Sequence, residues 1–274
     1  MNSRKLKISD LLDIRHRVKA ERPLIHCITN PISINDCANA VLAVGARPIM
    51  AEHPREVCEI TAAADALAVN LGNITDVRME SMLLAGHTAL RRRIPSILDL
   101  VGVGCSTLRL DYAKRFLAEC RPSVIKGNLS EIKALCGLPN DAKGVDAGER
   151  DSASDTEKAA DLLQNLARKT GAAAMATGAA DFVSDGNRTY RLENGCGMLA
   201  GITGTGCILN VLTASFLSRG NPVESAVLAS AVLGIAGELA QDAAGPGSFR
   251  AALLDHLFRL PDACISEKIR CICL

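Results

Sequence analysis

The chain has 274 residues, of which 48% are hydrophobic and 22% are charged, and this balance excludes a disordered or fibrous protein. Its 31 basic and 30 acidic residues give a formal charge of +1, which argues against nucleic acid as a partner. The apolar content is sufficient for a sizeable core, and we predict a single domain over residues 1–274.

Short apolar runs alternate with longer helical patterns along the chain, a rhythm typical of βαβ units in an α/β protein. The rhythm predicts a central, mainly parallel sheet that is covered by helices. Strands are predicted at residues 24–28, 48–50, 66–70, 96–99, 123–126 and 172–176.

Two helices in the middle of the chain carry recognisable end signals. Ser106 is predicted to cap a helix that runs to Cys120. Asp155 is predicted to cap a helix over residues 158–169, whose apolar residues form one stripe, and Gly171 ends that helix. Residues 144–155 are rich in Gly, Asp and Ser and are predicted to form a loop.

The last third of the chain is predicted to begin with an antiparallel hairpin and to continue as helices. Within residues 182–190, Asp185-Gly186 is a preferred pair for a two-residue turn, and the hairpin is predicted to form an edge of the sheet. After residue 206 the pattern is helical as far as Leu260, with breaks at residues 220–222 and 245–247. The segment after Asp262 is left without an assignment.

Polar segments that follow strands are the candidate functional sites, because a parallel sheet binds ligands outside the carboxyl ends of its strands. Four segments qualify, at residues 26–30, 99–104, 126–131 and 203–207. In the last, Gly204 and Gly206 alternate with threonines just before an apolar helix, so backbone N–H groups can converge on an anion at the helix N-terminus. The segment predicts a phosphate cradle, and an ordinary glycine-rich loop is the alternative.

Two further segments place acidic and amide side chains at the same edge. Asp99 follows a buried strand and precedes a Gly-x-Gly turn. The spacing of Asn128 and Glu131 puts their oxygens on one side of a first helical turn, which suits water-mediated Mg²⁺ ligation. The alternative for this second pair is a helix-capping arrangement in which Glu131 reaches back to the start of its own helix.

Several longer motifs carry a family resemblance. They are His26-Cys27-Ile28-Thr29-Asn30, the segments 45–51, 102–104, 144–149 and 245–249, and Thr203-Gly204-Thr205-Gly206-Cys207. In this order they resemble the hydroxyethylthiazole kinases, which have a ribokinase-like fold, over about Pro23 to Phe249. Related kinases of this fold usually carry Asp where this chain and the thiazole kinases carry Cys207.

The resemblance implies a three-layer α/β/α ribokinase-like fold with a central, mainly parallel sheet. It also implies a kinase that uses ATP and Mg²⁺ to phosphorylate the primary hydroxyl of 4-methyl-5-(2-hydroxyethyl)thiazole in thiamine salvage. The partners it implies are these small molecules and two further copies of the chain, in a homotrimer whose acceptor sites lie between subunits.

The resemblance also assigns roles to individual residues. The catalytic group is Cys207, Gly204 and Gly206, although the role of Cys207 as a base is left open. The nucleotide-binding group is Lys126, Thr177, Asn128 and Thr205; the acceptor-binding group is Asn30, Met50 and Gly204; and the Mg²⁺ group is Asp99 and Glu131. His26 is expected to be structural.

The chain departs from the family pattern near the phosphate end, so other functions stay open. Leu100 stands where Pro is usual, Cys196-Gly197 where His-Pro is usual, and Ala200-Gly201 where Thr-Lys is common. The alternatives are a hydroxymethylpyrimidine-type or sugar kinase, an ATP-dependent hydratase, a non-catalytic nucleotide-binding paralogue and, from a different class, a hydrolase with Cys207 as nucleophile.

The cysteines and the apolar segments bear on the compartment. The 11 cysteines are odd in number and form no C-x-x-C pair, so free thiols in a reducing compartment are predicted rather than disulfides or a zinc site. No apolar run is expected to approach the roughly 18 residues of a membrane span. We therefore expect a cytoplasmic protein without a membrane partner.

Overall fold

A single nine-stranded sheet joins all strands in the described part of the chain, residues 6–138 and 153–274 of a computed structural model. The strands are β1 (Leu24–Ile28), β2 (Arg47–Ile49), β3 (Ala66–Asn70), β4 (Ser96–Asp99), β5 (Val124–Asn128), β6 (Ala173–Thr177), β7 (Asp181–Ser184), β8 (Thr189–Leu192) and β9 (Cys271–Cys273). Their spatial order is β2-β1-β3-β4-β5-β6-β7-β8-β9. The first six strands pair in parallel and the last three are antiparallel, so a mainly parallel sheet is confirmed.

All six predicted strands are present. Those at residues 24–28, 66–70 and 96–99 have the predicted bounds, and the other three are displaced by one or two residues at each end. The helices are α1 (Ile8–Glu21), α2 (Ile34–Ala43), α3 (Val57–Ala63), α4 (Asp76–Arg92), α5 (Thr107–Cys120), α6 (Leu129–Leu135), α7 (Ala153–Thr170), α8 (Thr205–Leu217), α9 (Pro222–Ala240), α10 (Pro246–Arg259) and α11 (Asp262–Lys268).

Two apolar cores lie on opposite faces of the sheet, because side chains along a strand alternate between its faces. In β3, Ala66 and Ala68 contribute to one core, while Leu67 and Val69 contribute to the other. The first core contains residues of α1, α2, α8, α9 and α10, and the second contains residues of α3 to α7. The arrangement is the expected three-layer α/β/α fold.

The helix ends show two confirmations and one error. Ser106 caps α5, since its Oγ accepts a hydrogen bond from the Arg109 N–H at 3.4 Å. The helix predicted over residues 158–169 begins earlier, at Ala153, so Asp155 lies in its first turn and not at the N-cap. An acidic residue is favourable in either place, because the helix dipole favours negative charge throughout the first turn. Gly171, with φ of 73°, follows the helix as predicted.

The predicted hairpin exists, but its turn and its place in the sheet differ from the prediction. The turn has four residues, 185–188, because Ser184 pairs with Thr189. Asp185 closes this turn by accepting hydrogen bonds from the N–H groups of Asn187 and Arg188, at 2.7 and 2.8 Å. The edge of the sheet on this side is β9, which pairs with β8.

The unassigned segment after Asp262 therefore supplies both α11 and the edge strand β9. Asp262 contacts Arg15 and His16 of α1, which attaches α11 to the first helix. The Arg270 guanidinium donates to Glu238 Oε1 of α9 at 2.6 Å. These contacts join residues that are distant in sequence, so no local sequence pattern predicts them.

One helix contradicts the expectation that no apolar run approaches membrane length. Helix α9 has 19 residues and a mean hydropathy of 1.6, which by length and composition is sufficient to cross a membrane. In the structure, 78% of its apolar 18-residue segment is buried, since α9 packs against α8 and α10 inside the protein.

The family-like segment 144–149 and most of the predicted loop 144–155 lie outside the described residues.

Buried His26 fixes the segment that follows β2. Its Nε2 donates to the Ala51 carbonyl at 2.9 Å, and in the neutral ring Nδ1 accepts from the Thr61 hydroxyl at 2.8 Å. Burial lowers the pKa of His26, against the smaller raising effects of the Ala51 carbonyl and Glu56. The lowered pKa favours a neutral imidazole.

Acidification should therefore reduce stability through His26. Its folded-state pKa is below the unfolded value, so its contribution is complete above about pH 6.5 and is lost as the pH falls through the folded pKa. We expect urea titrations at about pH 7.5 and 5.5 to show a larger acid loss of unfolding free energy in the wild type than in His26→Gln, by at most about 1.4 kcal/mol per pH unit. Parallel pH dependences in the two proteins would contradict this assignment.

Candidate active site

Polar side chains from three neighbouring strands meet at the carboxyl edge of the sheet. The register pairs Asn70 of β3 with Asp99 of β4, and Asp99 with Lys126 of β5. All three residues are buried. The β1 strand ends beside them, and Asn30 follows it.

A buried ion pair lies at the centre of this edge. Lys126 Nζ is 3.0 Å from Asp99 Oδ2, and the two side chains are 3% and 1% exposed. The Asn70 amide donates to the same carboxylate oxygen at 3.0 Å. Burial raises the pKa of Asp99 against the opposing effects of Lys126 and Asn70. Burial is the largest effect on Lys126 and would lower its pKa, but the opposing effects of Asp99, Cys207 and Glu131 together hold that pKa above its ordinary value.

The other oxygen of Asp99 is the exception in this network. Asp99 Oδ1 is buried and has no hydrogen-bond partner among the described residues. A buried polar atom is normally paired. This oxygen is therefore a candidate ligand position for a cation or a water at the centre of the site.

The N-terminus of α8 lies directly above the ion pair. Its first intrahelical hydrogen bond runs from the Ile208 N–H to the Gly204 carbonyl at 2.8 Å, so the N–H groups of residues 205, 206 and 207 precede the helical ladder. Gly204 has φ of 93°, and a Cβ there would lie 2.9 Å from Ser33 Cβ. A Cβ on Gly206 would lie 3.7 Å from Lys126 Nζ. The geometry suits an anion held between the helix start and the lysine.

Cys207 lies in the first turn of α8 and receives two amide donors. Asn30 Nδ2 is 2.9 Å from the Cys207 sulfur, and Asn70 Nδ2 is 3.4 Å from it. Asn30 Oδ1 accepts from the N–H groups of Ile32 and Ser33, both at 3.1 Å. The Cys207 side chain is buried between these two strand ends.

Asn128 and Glu131 adopt the capping arrangement that was the alternative to a metal site. Asn128 Oδ1 accepts from the Glu131 N–H, and Glu131 Oε2 accepts from the Asn128 N–H, both at 2.8 Å. Glu131 Oε1 accepts from the Gly102 N–H at 2.8 Å and so joins two loops of the site. Burial, then the Asp99 carboxylate, raises the pKa of Glu131. Within the described residues no group of three or more His, Cys, Asp and Glu side chains could hold a metal ion.

The remaining predicted residues make their recorded contacts outside this centre. Thr177 ends β6 next to Asn128 in the register, and its hydroxyl is 3.5 Å from the Gly127 carbonyl. The Thr205 hydroxyl donates to the Leu199 carbonyl at 3.0 Å, so it holds the preceding turn. Met50 follows the outermost parallel strand, β2, and packs partly buried against the first core.

The sequence analysis missed Asn70, which joins the two halves of the site. Its Oδ1 accepts from the Gly72 N–H at 2.8 Å, and its Nδ2 reaches both Asp99 and Cys207. A signal was available, because Asn70 is the last residue of a buried strand and occupies the same strand-end position as Asp99.

Two departures from the family pattern make specific contacts. The Leu100 N–H donates to the Lys126 carbonyl at 2.8 Å, a bond that a proline could not donate. The Cys196 thiol donates to the Gly237 carbonyl at 3.2 Å. The departure at Leu100 therefore adds a backbone bond between the strands that carry Asp99 and Lys126.

Comparison with known proteins gives matches over nearly the whole chain. The hydroxyethylthiazole kinase family matches residues 15–263. "Hydroxyethylthiazole kinase 2" of Clostridium botulinum strain Langeland is 54% identical over 261 residues, covering 94% of this chain and 98% of the relative. "Hydroxyethylthiazole kinase 1" of C. botulinum strain Loch Maree is 53% identical with the same coverage.

Solved structures agree in fold. The hydroxyethylthiazole kinase of Pyrococcus horikoshii OT3 aligns with a TM-score of 0.88 at 35% identity, covering 96% of this chain and 98% of that one. The pyridoxal kinase of Bacillus subtilis, solved as an ADP complex, aligns with a TM-score of 0.57 at 17% identity, covering 78% of this chain and 90% of that one. The second likeness shows the fold alone.

The two glycines at the start of α8 should differ in their tolerance of a side chain. Gly204→Ala must adopt a left-handed conformation against Ser33, and we expect it to lower the free energy of unfolding by about 1–2 kcal/mol or more. Gly206→Ala is the matched control. Among the described residues its new methyl group meets only the lysine ammonium, at ordinary contact distance, so its change in unfolding free energy should stay within about 1 kcal/mol. Equal destabilisation by both substitutions would refute the close approach of α8 to Ser33.

Proposed function

This chain belongs to the hydroxyethylthiazole kinase family and is a kinase, and we propose that it transfers the γ-phosphoryl group of ATP to the primary hydroxyl of 4-methyl-5-(2-hydroxyethyl)thiazole in thiamine salvage. One observation supports the assignment of the transfer to this edge of the sheet. The buried Lys126–Asp99 pair lies against a helix start whose first three N–H groups are free of the helical ladder. Phosphoryl transfer depends mainly on positioning and on neutralisation of charge, which such an arrangement can supply.

We assign the phosphate contacts to the N-terminus of α8 and to Lys126. The N–H groups around Gly206, together with the lysine ammonium, would neutralise charge on the transferred group. Asn128, Thr177 and Thr205 are proposed to border the nucleotide, and Asn128 and Thr177 are adjacent in the register of β5 and β6.

The residues present fit a magnesium ion that arrives with the ATP phosphates. Mg²⁺ retains several waters and is usually held by one or two carboxylates plus substrate phosphates. Asp99 offers its unpartnered Oδ1, whereas both oxygens of Glu131 already accept backbone hydrogen bonds. We therefore propose that Asp99 is the nearer ligand and that Glu131 acts through water. The ion would supply charge neutralisation on the phosphates.

The acceptor is proposed to lie on the other side of α8, against Asn30, Met50 and Gly204. Met50 suits an apolar sulfur heterocycle, because a thioether is polarizable and adaptable. Cys207 lies between this side and the phosphate side. We include in the proposal that Cys207 is the base that accepts the hydroxyl proton.

We further propose a cytoplasmic homotrimer with acceptor sites between subunits. Ile32, which follows Asn30, is 63% exposed, and an exposed apolar side chain beside the acceptor edge suits cover by another subunit. The 11 cysteines are all free thiols, which suits a reducing compartment. Light scattering of the purified protein would measure the oligomeric state.

The acceptor is tested with a panel of primary alcohols and Mg·ATP, read as phosphorylated product by mass spectrometry. We expect hydroxyethylthiazole to give the highest kcat/KM, and ADP formation to require an added alcohol. A higher kcat/KM for hydroxymethylpyrimidine would assign the chain to that kinase type. ADP without an alcohol would favour the hydratase, and no turnover with any alcohol would favour a non-catalytic nucleotide-binding paralogue.

Substitutions should distinguish the contribution of the acidic residues to kcat from that of the Cys207 thiol. We expect Asp99→Ala and Glu131→Ala to lose more kcat under saturating Mg·ATP than Cys207→Ala does, because charge neutralisation outweighs a strong base in a loose transition state. A loss of roughly a hundredfold or more is expected at Asp99, the scale of a lost electrostatic contact in a transition state. An equal or greater loss at Cys207 would contradict the ranking and would make the thiol the principal catalytic group.

A further inference from the structure

Asn70 is the residue whose contacts cross from the phosphate side of the site to the thiol side. Its amide nitrogen is 3.0 Å from Asp99 Oδ2 and 3.4 Å from the Cys207 sulfur. The orientation of this amide is fixed, because its oxygen accepts from the Gly72 N–H at 2.8 Å. Both hydrogens of the amide therefore point into the site, one toward each partner.

The second hydrogen-bond donor to the Cys207 sulfur also has a fixed orientation. The second donor, Asn30 Nδ2 at 2.9 Å, is oriented by the backbone N–H groups of Ile32 and Ser33. Two amides that can only donate in this direction make the sulfur an acceptor on both sides. The thiol is therefore held in one position, with its electron pairs engaged by the protein.

We propose that Asn70 is a positioning residue for phosphoryl transfer. It holds the sulfur of Cys207 at a fixed position relative to the carboxylate of Asp99. This inference rests on the proposed function, since it assigns the two partners to the two ends of one reaction. If Cys207 shifted relative to Asp99, the acceptor hydroxyl would lie farther from the phosphoryl group that it receives. Misplacement of reacting groups by about 1 Å is sufficient to cost a hundredfold in rate.

Other groups that bear on the thiol come from three elements. Lys126 of β5 interacts electrostatically with Cys207, and Asp99 of β4 lies behind Asn70. The Cys37 thiol of α2 also interacts electrostatically with Cys207. Burial, then the neighbouring Cys207, raises the pKa of Cys37 to about 12, so Cys37 stays a neutral thiol and reacts poorly with an alkylating agent.

The first test is a double-mutant cycle on kcat with Asn70→Ala, Cys207→Ala and the double variant. We expect Asn70→Ala to lower kcat by about tenfold or more with a smaller change in the KM for ATP. In the Cys207→Ala background the same change should cost less than about threefold, because the partner through which Asn70 acts is gone. Additive losses would overturn the proposal.

The matched control is Asn210→Ala. Asn210 is a second fully buried asparagine, on α8, and its amide donates to the Val69 carbonyl at 3.3 Å and not to Cys207 or Asp99. If loss of any buried amide in this region is sufficient, Asn210→Ala will show the same non-additivity with Cys207→Ala. That outcome would also overturn the proposal. Asn70→Ser, which keeps a small hydroxyl donor, replaces Asn70→Ala if the alanine variant does not fold.

The second test needs no substrate. The rate of alkylation of Cys207 by iodoacetamide, measured on its own peptide by mass spectrometry, reports the state of the sulfur. Removal of the Asn70 donor should slow this rate by about threefold or more, and Asn210→Ala should leave it unchanged. Unchanged alkylation in the Asn70 variant would overturn the inference even if the wild type phosphorylates the thiazole. A wild type without kinase activity would instead defeat the proposed function, and the alkylation result would still decide the position of the thiol.

Discussion

The site depends on one buried ion pair between neighbouring strands. Lys126 and Asp99 are both almost completely removed from water, and each is tolerable there only because of the other. Removal of either partner would leave an uncompensated buried charge, which costs about 3–5 kcal/mol in other proteins. The parallel register of β4 and β5 places the two residues opposite each other, and the Leu100 N–H bond to the Lys126 carbonyl extends that register by one step. The backbone thus fixes where the charges lie before any ligand binds.

The second constraint is the close approach of α8 to this pair. A helix start can bind an anion only where its N–H groups are reachable, and here the residues that would obstruct them are glycines. Gly204 allows the chain to turn against Ser33, and Gly206 leaves room above the lysine ammonium. The same turn brings Cys207 between Asn30 and Asn70. One short segment therefore presents N–H groups to one side and a thiol to the other.

Sequence reasoning placed these features well where the signal was local. Asp99 ends β4, Lys126 lies within β5 and Gly204 precedes α8, so the rule that ligands bind at the carboxyl edge of a parallel sheet was sufficient to select the segments that contain them. It failed where the contacts are distant in sequence. The strand β9 is recognisable only from its pairing with β8. The strand-end position was a signal for Asn70, but the groups that it connects are known only from its contacts with residues 99 and 207. For Glu131 the spacing fitted both a metal ligand and a cap, and in the folded chain both of its carboxylate oxygens accept hydrogen bonds from backbone N–H groups.

The ion pair also links the binding of phosphate to the binding of a cation. Lys126 has three donors, and its contact with Asp99 leaves others for a phosphate above it. When a phosphate draws on that ammonium, as proposed, Asp99 loses part of the counter-charge that compensates its burial. A cation at the unpartnered Asp99 Oδ1 would restore it. Because binding free energies are reciprocal, each ligand would then strengthen the other, and the metal would bind best as a complex with the nucleotide.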